Sequence, residues 1–438
     1  MRLTNVSQLS LPPGALHSYA VRLRATDREV RVSFDQGRHV GEGDRPGSWM
    51  AMSFRLPGAS RARLGPAWDA VIARHGTLRT VFAPGADGVA LFDAEPEPGV
   101  WQQHPVATTT AAALRQVLDE TCRPYAPGSY RLCLVEAEEG APVVVIGSDH
   151  AHVDMWSLLV LARDLRAALG DDPAPEPQTP AAPFAEHTAA LEGRDAAPAD
   201  VLDEWHRLLD AGEGAMPRFP LPLGDLSPVP AEVVEVRDVL DAAGVEALSA
   251  AADAAGVRVT ALALAAVTAA TRRVAAAPLR AVFPVHSRHE PRWSDAVGWF
   301  ITNAVIECEE ADPVACAADI RRALRLGSHP LAPIFAPLGG WPSVPGMFAI
   351  SWLDTRRLPV AVPADAEAHW VSAAIRTDGV MIWFVINDTG LHLRCRYPDT
   401  PASRASLAVW LDAVDGDLRQ AARPASGAPA ALAPARRG

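Results

Sequence analysis

The residues most capable of chemistry lie in "DHAHVDMWS", residues 149 to 157. His150, His152 and Asp154 alternate, and on an extended chain positions i, i+2 and i+4 share one face, where the three could converge on a metal ion. Metallohydrolases of the HxHxDH type use this order. Here Met155 stands where the next ligand is expected, and no second cluster supplies distant ligands. "HSRHE" (286 to 290) comes nearest, with an arginine at its centre. Alternatively, His150 and Asp154 form an HxxxD pair, in which a neutral imidazole suits general-base work at ordinary pH. His152 has only the incomplete metal pattern behind it, and a structural role, hydrogen-bonded to a backbone carbonyl, is the simpler expectation.

The neighbouring residues supply the scaffold for that pair. "PVVVIGS" is a continuous β-branched run, as expected of a strand buried on both faces. "MWSLLVLARDLRAALG" reads as a helix ended by Gly170. The stretch is therefore a strand, a short connection and a helix. Upstream, "RARLGPAWDAVIARHGTLRTVF" places Leu64, Trp68, Val71 and Ile72 on one helical face. Downstream, "DAAGVEALSAAADAAG" and "TALALAAVTAATRRV" read as helices, the second capped by Thr260, and "RAVFPVHS" and "GVMIWFVIND" as strands. The class is mixed α/β.

The 438 residues exceed one ordinary core and suit two domains. The proline-rich "DDPAPEPQTPAAP" divides them, giving an N-terminal unit over 1–172, a linker at 173–183 and a C-terminal unit over 184–422. The tail from 423, "RPASGAPAALAPARRG", has a composition that cannot bury a core and is expected to be disordered.

The net charge of −12 disfavours a nucleic-acid partner. The chain contains no lysine, which removes a Walker-type phosphate loop and a lysine Schiff base. Five scattered cysteines without a CxxC argue against structural zinc and disulfides, and predict reduced thiols in the cytoplasm. The N-terminus lacks a signal peptide, and the most apolar later run is broken by threonines and arginines, so no membrane association is expected.

The HxxxD pair does not stand alone. "RHGTLRTVF", "VLDEWHRLLDAG", "AAGVRVTALALAAVTAATRR", "VFPVHSRHE" and "VGWFITNAV" follow one another over nearly all of residues 1 to 420. Together with "DHAHVDMWS" they resemble the condensation domains of nonribosomal peptide synthesis, within the chloramphenicol acetyltransferase-like superfamily, whose hallmark is HHxxxDG. The resemblance implies two acetyltransferase-like subdomains forming a V-shaped pseudodimer, with the active site at their junction. It implies His150 as the catalytic group and Asp154 as a scaffold residue paired with Arg288 and also Arg79. Met155, Trp156, His152, Ser351, Trp299 and Asn303 are pocket candidates, with Ser351 or a backbone N–H near Met155 as the oxyanion donor.

The same resemblance implies a condensation enzyme that forms an amide or ester in natural-product biosynthesis. Its phosphopantetheine-linked acyl donor would come in trans on an acyl or peptidyl carrier protein, or as a coenzyme A thioester, since nothing beyond residue 420 could house a carrier domain. The acceptor would be a small amine or alcohol, with no bound cofactor or metal and a monomeric chain. Three departures from the pattern stand out: Asp149 replaces the first histidine, Met155 the glycine, and "ITNAV" inverts the usual Asn-Thr order. Asp149 is expected to favour the imidazolium of His150, and Met155 to narrow the pocket floor. These departures also admit a second reading, a non-catalytic module that recruits a partner enzyme or carrier protein.

Overall fold

The computed structural model of the protein describes residues 1–85, 88–170 and 180–423. Most of the expected linker and nearly all of the expected tail lie outside the described residues.

Two large sheets organise the chain. The first has seven strands in the order Arg2–Asn5, His369–Ser372, Trp49–Arg55, Val143–Asp149, Tyr130–Ala137, Gly14–Ala20 and Val100–His104. The apolar run Val143–Asp149 is buried at every residue and flanked on both edges by antiparallel partners. The helices Arg61–Arg74 and Met155–Ala168 pack against each other, burying Leu64, Trp68, Val71 and Ile72 on the first and Leu158, Leu161 and Leu165 on the second. The second sheet has six strands, in the order Glu232–Asp241, Gly390–Pro398, Val380–Asn387, Phe348–Asp354, Leu279–His286 and Ile301–Cys308. Helices Ala242–Ala254, Val259–Ala275 and Pro401–Ala421 bury its core, which includes Trp205 and Trp410. A three-stranded sheet joins Leu23–Val30, Gly88–Pro96 and Thr80–Gly85.

The halves are not separate along the sequence. The short strand His369–Ser372, from the second half, lies parallel to Arg2–Asn5 and antiparallel to Trp49–Arg55 in the first sheet. Trp370 on that strand is fully buried in the core of the first half. One local expectation fails. The helix Val259–Ala275 begins after Arg258 with no side-chain cap, so Thr260 lies inside its first turn. Gly170 does follow the helix Met155–Ala168 in a left-handed conformation, as a helix-ending glycine should.

The junction is packed closely enough to leave no room for a methyl group at Gly298. A Cβ there would sit 2.4 Å from the Phe184 ring carbon Cγ. Gly298→Ala is therefore expected to destabilise the protein by about 1–3 kcal/mol, seen as a lower urea midpoint. A second expectation concerns acid. Burial pushes His187 and His392 down to about 4, well under the 6.5 of a free imidazole. The unfolded chain then binds more protons below pH 6.5, so stability is present above that pH and is lost as pH falls toward 4. Each ring contributes a slope of about 1.4 kcal/mol per pH unit. Urea unfolding at pH 7 and pH 5 measures it, and an unchanged midpoint would contradict the assignment.

Candidate active site

The strand Val143–Asp149 ends in a single 3-10 turn, His150–His152, and the chain enters the helix Met155–Ala168 at Asp154. Each carboxylate has a local backbone task. Asp149 Oδ1 accepts the amide of Ala151 at 2.9 Å, and Asp154 Oδ1 caps the helix by accepting the amide of Ser157 at 2.7 Å. The turn presents His150 to the second half of the chain. There the Trp299 indole stacks on its imidazole, with ring centroids 4.1 Å apart and planes 25° from parallel. His150 is half-buried, and its Nδ1 is buried without a hydrogen-bond partner in another residue.

Burial, followed by the neighbouring His39, holds the His150 pKa below that of a free imidazole. Asp149 acts on that balance in the direction the sequence suggested, raising the His150 pKa, but burial outweighs it. Burial alone would raise the Asp149 carboxyl, but hydrogen bonds from His39 and Ser48 outweigh it and hold it below the ordinary carboxylate range. The ionised Asp149 therefore favours the imidazolium of His150 without overcoming burial.

Asp154 is a structural anchor between the halves. The buried Arg288 guanidinium donates to both its oxygens, at 3.0 and 3.2 Å, and the amide of Phe300 donates to Oδ2 at 3.1 Å. Arg288 also donates to Ser157 Oγ at 2.8 Å and to the carbonyls of Trp293 and Ala296, and lies over the Phe300 ring. Ser157 Oγ in turn donates to the carbonyl of Gly298. Arg79 is not among the partners of Asp154; it ends the turn Gly76–Arg79 with its Nε buried and unpaired.

The pocket candidates do not all meet the imidazole. Trp299 reaches the imidazole directly. Met155 and Trp156 open the helix Met155–Ala168, in the first turn, where amides have no intrahelical acceptor. The Met155 carbonyl accepts from Trp370 Nε1 at 3.0 Å, and Trp156 Nε1 donates to the carbonyl of Ser294 at 3.1 Å. Asn303, on the strand Ile301–Cys308, donates its amide to the buried Asp35 across the junction at 2.9 Å. Ser351 lies in the second sheet opposite Trp383, and no hydrogen bond or ring contact joins it to His150.

His152 points elsewhere. It is buried edge-on to Phe82 at 5.1 Å, and the backbone of Thr80 acts on its ring as a hydrogen-bond partner, in keeping with a structural role. His150, His152 and Asp154 therefore do not converge as a metal site would require. Among the described residues the ligand-type atoms that do approach one another belong to Cys308, Cys316 and Asp319. All five cysteines are free thiols.

A cavity of about 40 Å³ lies against Trp299, lined from both halves by Phe34, Asp35, Phe184, His187 and Thr302. Trp299 both lines this cavity and stacks on His150. Sequence reasoning missed two of the groups here. Asp35 and His39 come from the helix Phe34–Gly41, more than a hundred residues upstream of the motif. The visible signal was "SFDQGRH", polar residues in a short segment whose Ser33 and Gln36 form a capping box.

Comparison with known proteins agrees with this architecture. Residues 47–323 match the Condensation domain family. The chain belongs to that family, a class of acyltransferases. It is similar to the acyltransferase PapA3 of Mycobacterium tuberculosis, at 24% identity over 433 residues covering 91% of this chain and 90% of PapA3. Among solved structures, the PapA2 acyl transferase superposes with a TM-score of 0.84 at 20% identity, covering 97% of this chain and all of that one. A condensation domain that mediates chain release from the enacyloxin polyketide synthase superposes at 0.64 and 19% identity, over 94% and 86% of the two chains. The paired acetyltransferase-like subdomains expected from the sequence are thus the fold of this chain. Among the described residues, no single helix is long and apolar enough to cross a membrane.

Proposed function

We propose that this chain transfers an acyl group from a thioester to a small amine or alcohol, with His150 as the general base. One observation carries the reading. In a condensation-family fold, His150 is held with lowered basicity, its ring nitrogens unclaimed by neighbouring side chains, where the two halves meet. At neutral pH such a ring is unprotonated and free to accept a proton.

The step balances simply. The acceptor's N–H or O–H gives its proton to His150 as its lone pair attacks the thioester carbonyl. The tetrahedral oxyanion collapses, the C–S bond breaks, and the departing thiolate takes the proton back from the imidazolium. The first-turn amides of Met155 and Trp156 at the helix N-terminus are the donors best suited to the oxyanion. Asp154 and Arg288 fix the turn and take no proton. The acyl donor is a phosphopantetheine-linked thioester, on a carrier protein or as coenzyme A, and the chain itself needs no resident cofactor.

The test is incubation of the purified protein with acyl thioesters of coenzyme A, pantetheine and a carrier protein, against a panel of amines and alcohols, with products read by mass spectrometry. Amide or ester formed at a rate above the buffer control supports the reading, and the best donor identifies the carrier. No product from any pairing would replace it with the recruitment module.

A further inference from the structure

Where the family motif carries its first histidine, this chain has Asp149, and Asp149 engages an imidazole from a different element. The helix Phe34–Gly41 places His39 in its last turn, with Nε2 3.3 Å from Asp149 Oδ1 and Nδ1 3.3 Å from an Arg45 guanidinium nitrogen. Arginine only donates, so Nδ1 accepts and, in the neutral ring, Nε2–H donates to Asp149. Both nitrogens of His39 are therefore in use, unlike those of His150.

The surroundings hold this arrangement in place. Arg45 also bonds the carbonyl of His39 at 2.9 Å and pairs with Glu42 at 3.0 Å. Asp149 accepts from Ser48 Oγ at 2.5 Å and from the amide of Ala151, inside the turn that carries His150. The His39 ring then meets Trp299 edge-on, with centroids 5.3 Å apart and planes at 71°, and Trp299 in turn stacks on His150. A continuous set of contacts runs from Arg45 through His39 to the indole, and from Asp149 to the backbone of the catalytic turn.

We propose that His39 is a positioning residue: clamped between Asp149 and Arg45, it props the Trp299 indole against His150. Its role in acyl transfer rests on the reading above, whereas the clamp itself is a property of the fold and can be tested without substrate.

Glutamine offers an amide N–H to Asp149 and a carbonyl to Arg45, the same polarity as the His39 ring. Phenylalanine keeps an aromatic edge for Trp299 but neither hydrogen bond. Asp149→Asn removes the charge and leaves a single oxygen for Ala151 and His39 to share, weakening the hydrogen bond that orients the His39 ring. The primary readout is the rate at which diethyl pyrocarbonate carbethoxylates His150, followed by peptide mass spectrometry. His39→Phe and Asp149→Asn are expected to label His150 severalfold faster, because the indole is no longer held over the ring, while His39→Gln labels at the wild-type rate.

With any thioester and acceptor that wild type turns over, His39→Phe is expected to lose about 10²-fold in kcat with little change in KM, as misplacement of a reacting group does. His39→Gln is expected to retain activity. Labelling of His150 in both His39→Phe and Asp149→Asn at the wild-type rate would overturn the proposal. So would a His39→Gln variant as impaired as His39→Phe, since that would make the ring itself the functional group. Thermal melts exclude unfolding, and if His39→Phe does not fold, Asp149→Asn carries the same reading. Absence of transfer by wild type would end the acyltransferase assignment and leave the labelling result standing.

Discussion

Replacing His150 with glutamine is expected to lower kcat/KM for acyl transfer by about 10²- to 10⁴-fold, the range that a positioned general base contributes. Activity should persist at the lower end of that range of loss if binding both substrates at the junction supplies most of the acceleration. The fold should survive, because the ring makes no hydrogen bond to another residue and gives up only its stack on Trp299 and a looser contact with the His39 ring. The pH profile carries the more specific information. Burial, and then His39, set the His150 pKa below the free value. The unprotonated, active form therefore persists to lower pH, and the acid limb of kcat/KM should fall below pH 6.5 instead of at it. The groups facing the ring are His39 from the helix Phe34–Gly41 and Asp149 and Asp154 from its own segment. An acid limb centred at or above 6.5, or a glutamine variant of wild-type rate, would remove His150 from the chemistry.

Much of this site was legible in the chain because its core is contiguous. A run of four β-branched residues reads as a buried strand, and "MWSLLVLARDLRAALG" as a helix closed by glycine, so the strand, turn and helix around His150 followed from local sequence. Arg288 was placed by resemblance, and the structure puts its guanidinium on Asp154. What failed were the distant partners. Arg79 and Ser351 sit on elements whose geometry nothing local specifies, and neither joins the motif. His39 has no periodic signal to single it out. A buried Asp149 needs a donor, but that demand does not say where in the chain to look. The crossover of His369–Ser372 into the first sheet was hidden for a similar reason. Four residues are too few to show a register, and pairing is decided by the edge they meet.

Replacing Arg288 with alanine is expected to cost about 3–5 kcal/mol of stability, the cost of breaking a buried ion pair by removing one partner. That would be a large share of the roughly 5–15 kcal/mol a folded domain possesses. The reason lies in what is left behind. The Asp154 carboxylate would stay buried with only the amides of Ser157 and Phe300 to neutralise it, and the carbonyls of Trp293 and Ala296 would lose their donor. Asp154→Ala should cost a comparable amount, since it strands a guanidinium whose pKa burial already lowers. Removing both charges leaves neither stranded, so the double variant should be distinctly more stable than the sum of the single effects predicts. A urea-denaturation cycle over the four proteins measures that coupling. Strict additivity would show that the two side chains act independently, and the anchor between the halves would have to be sought in the Ser157–Gly298 and Asn303–Asp35 contacts instead.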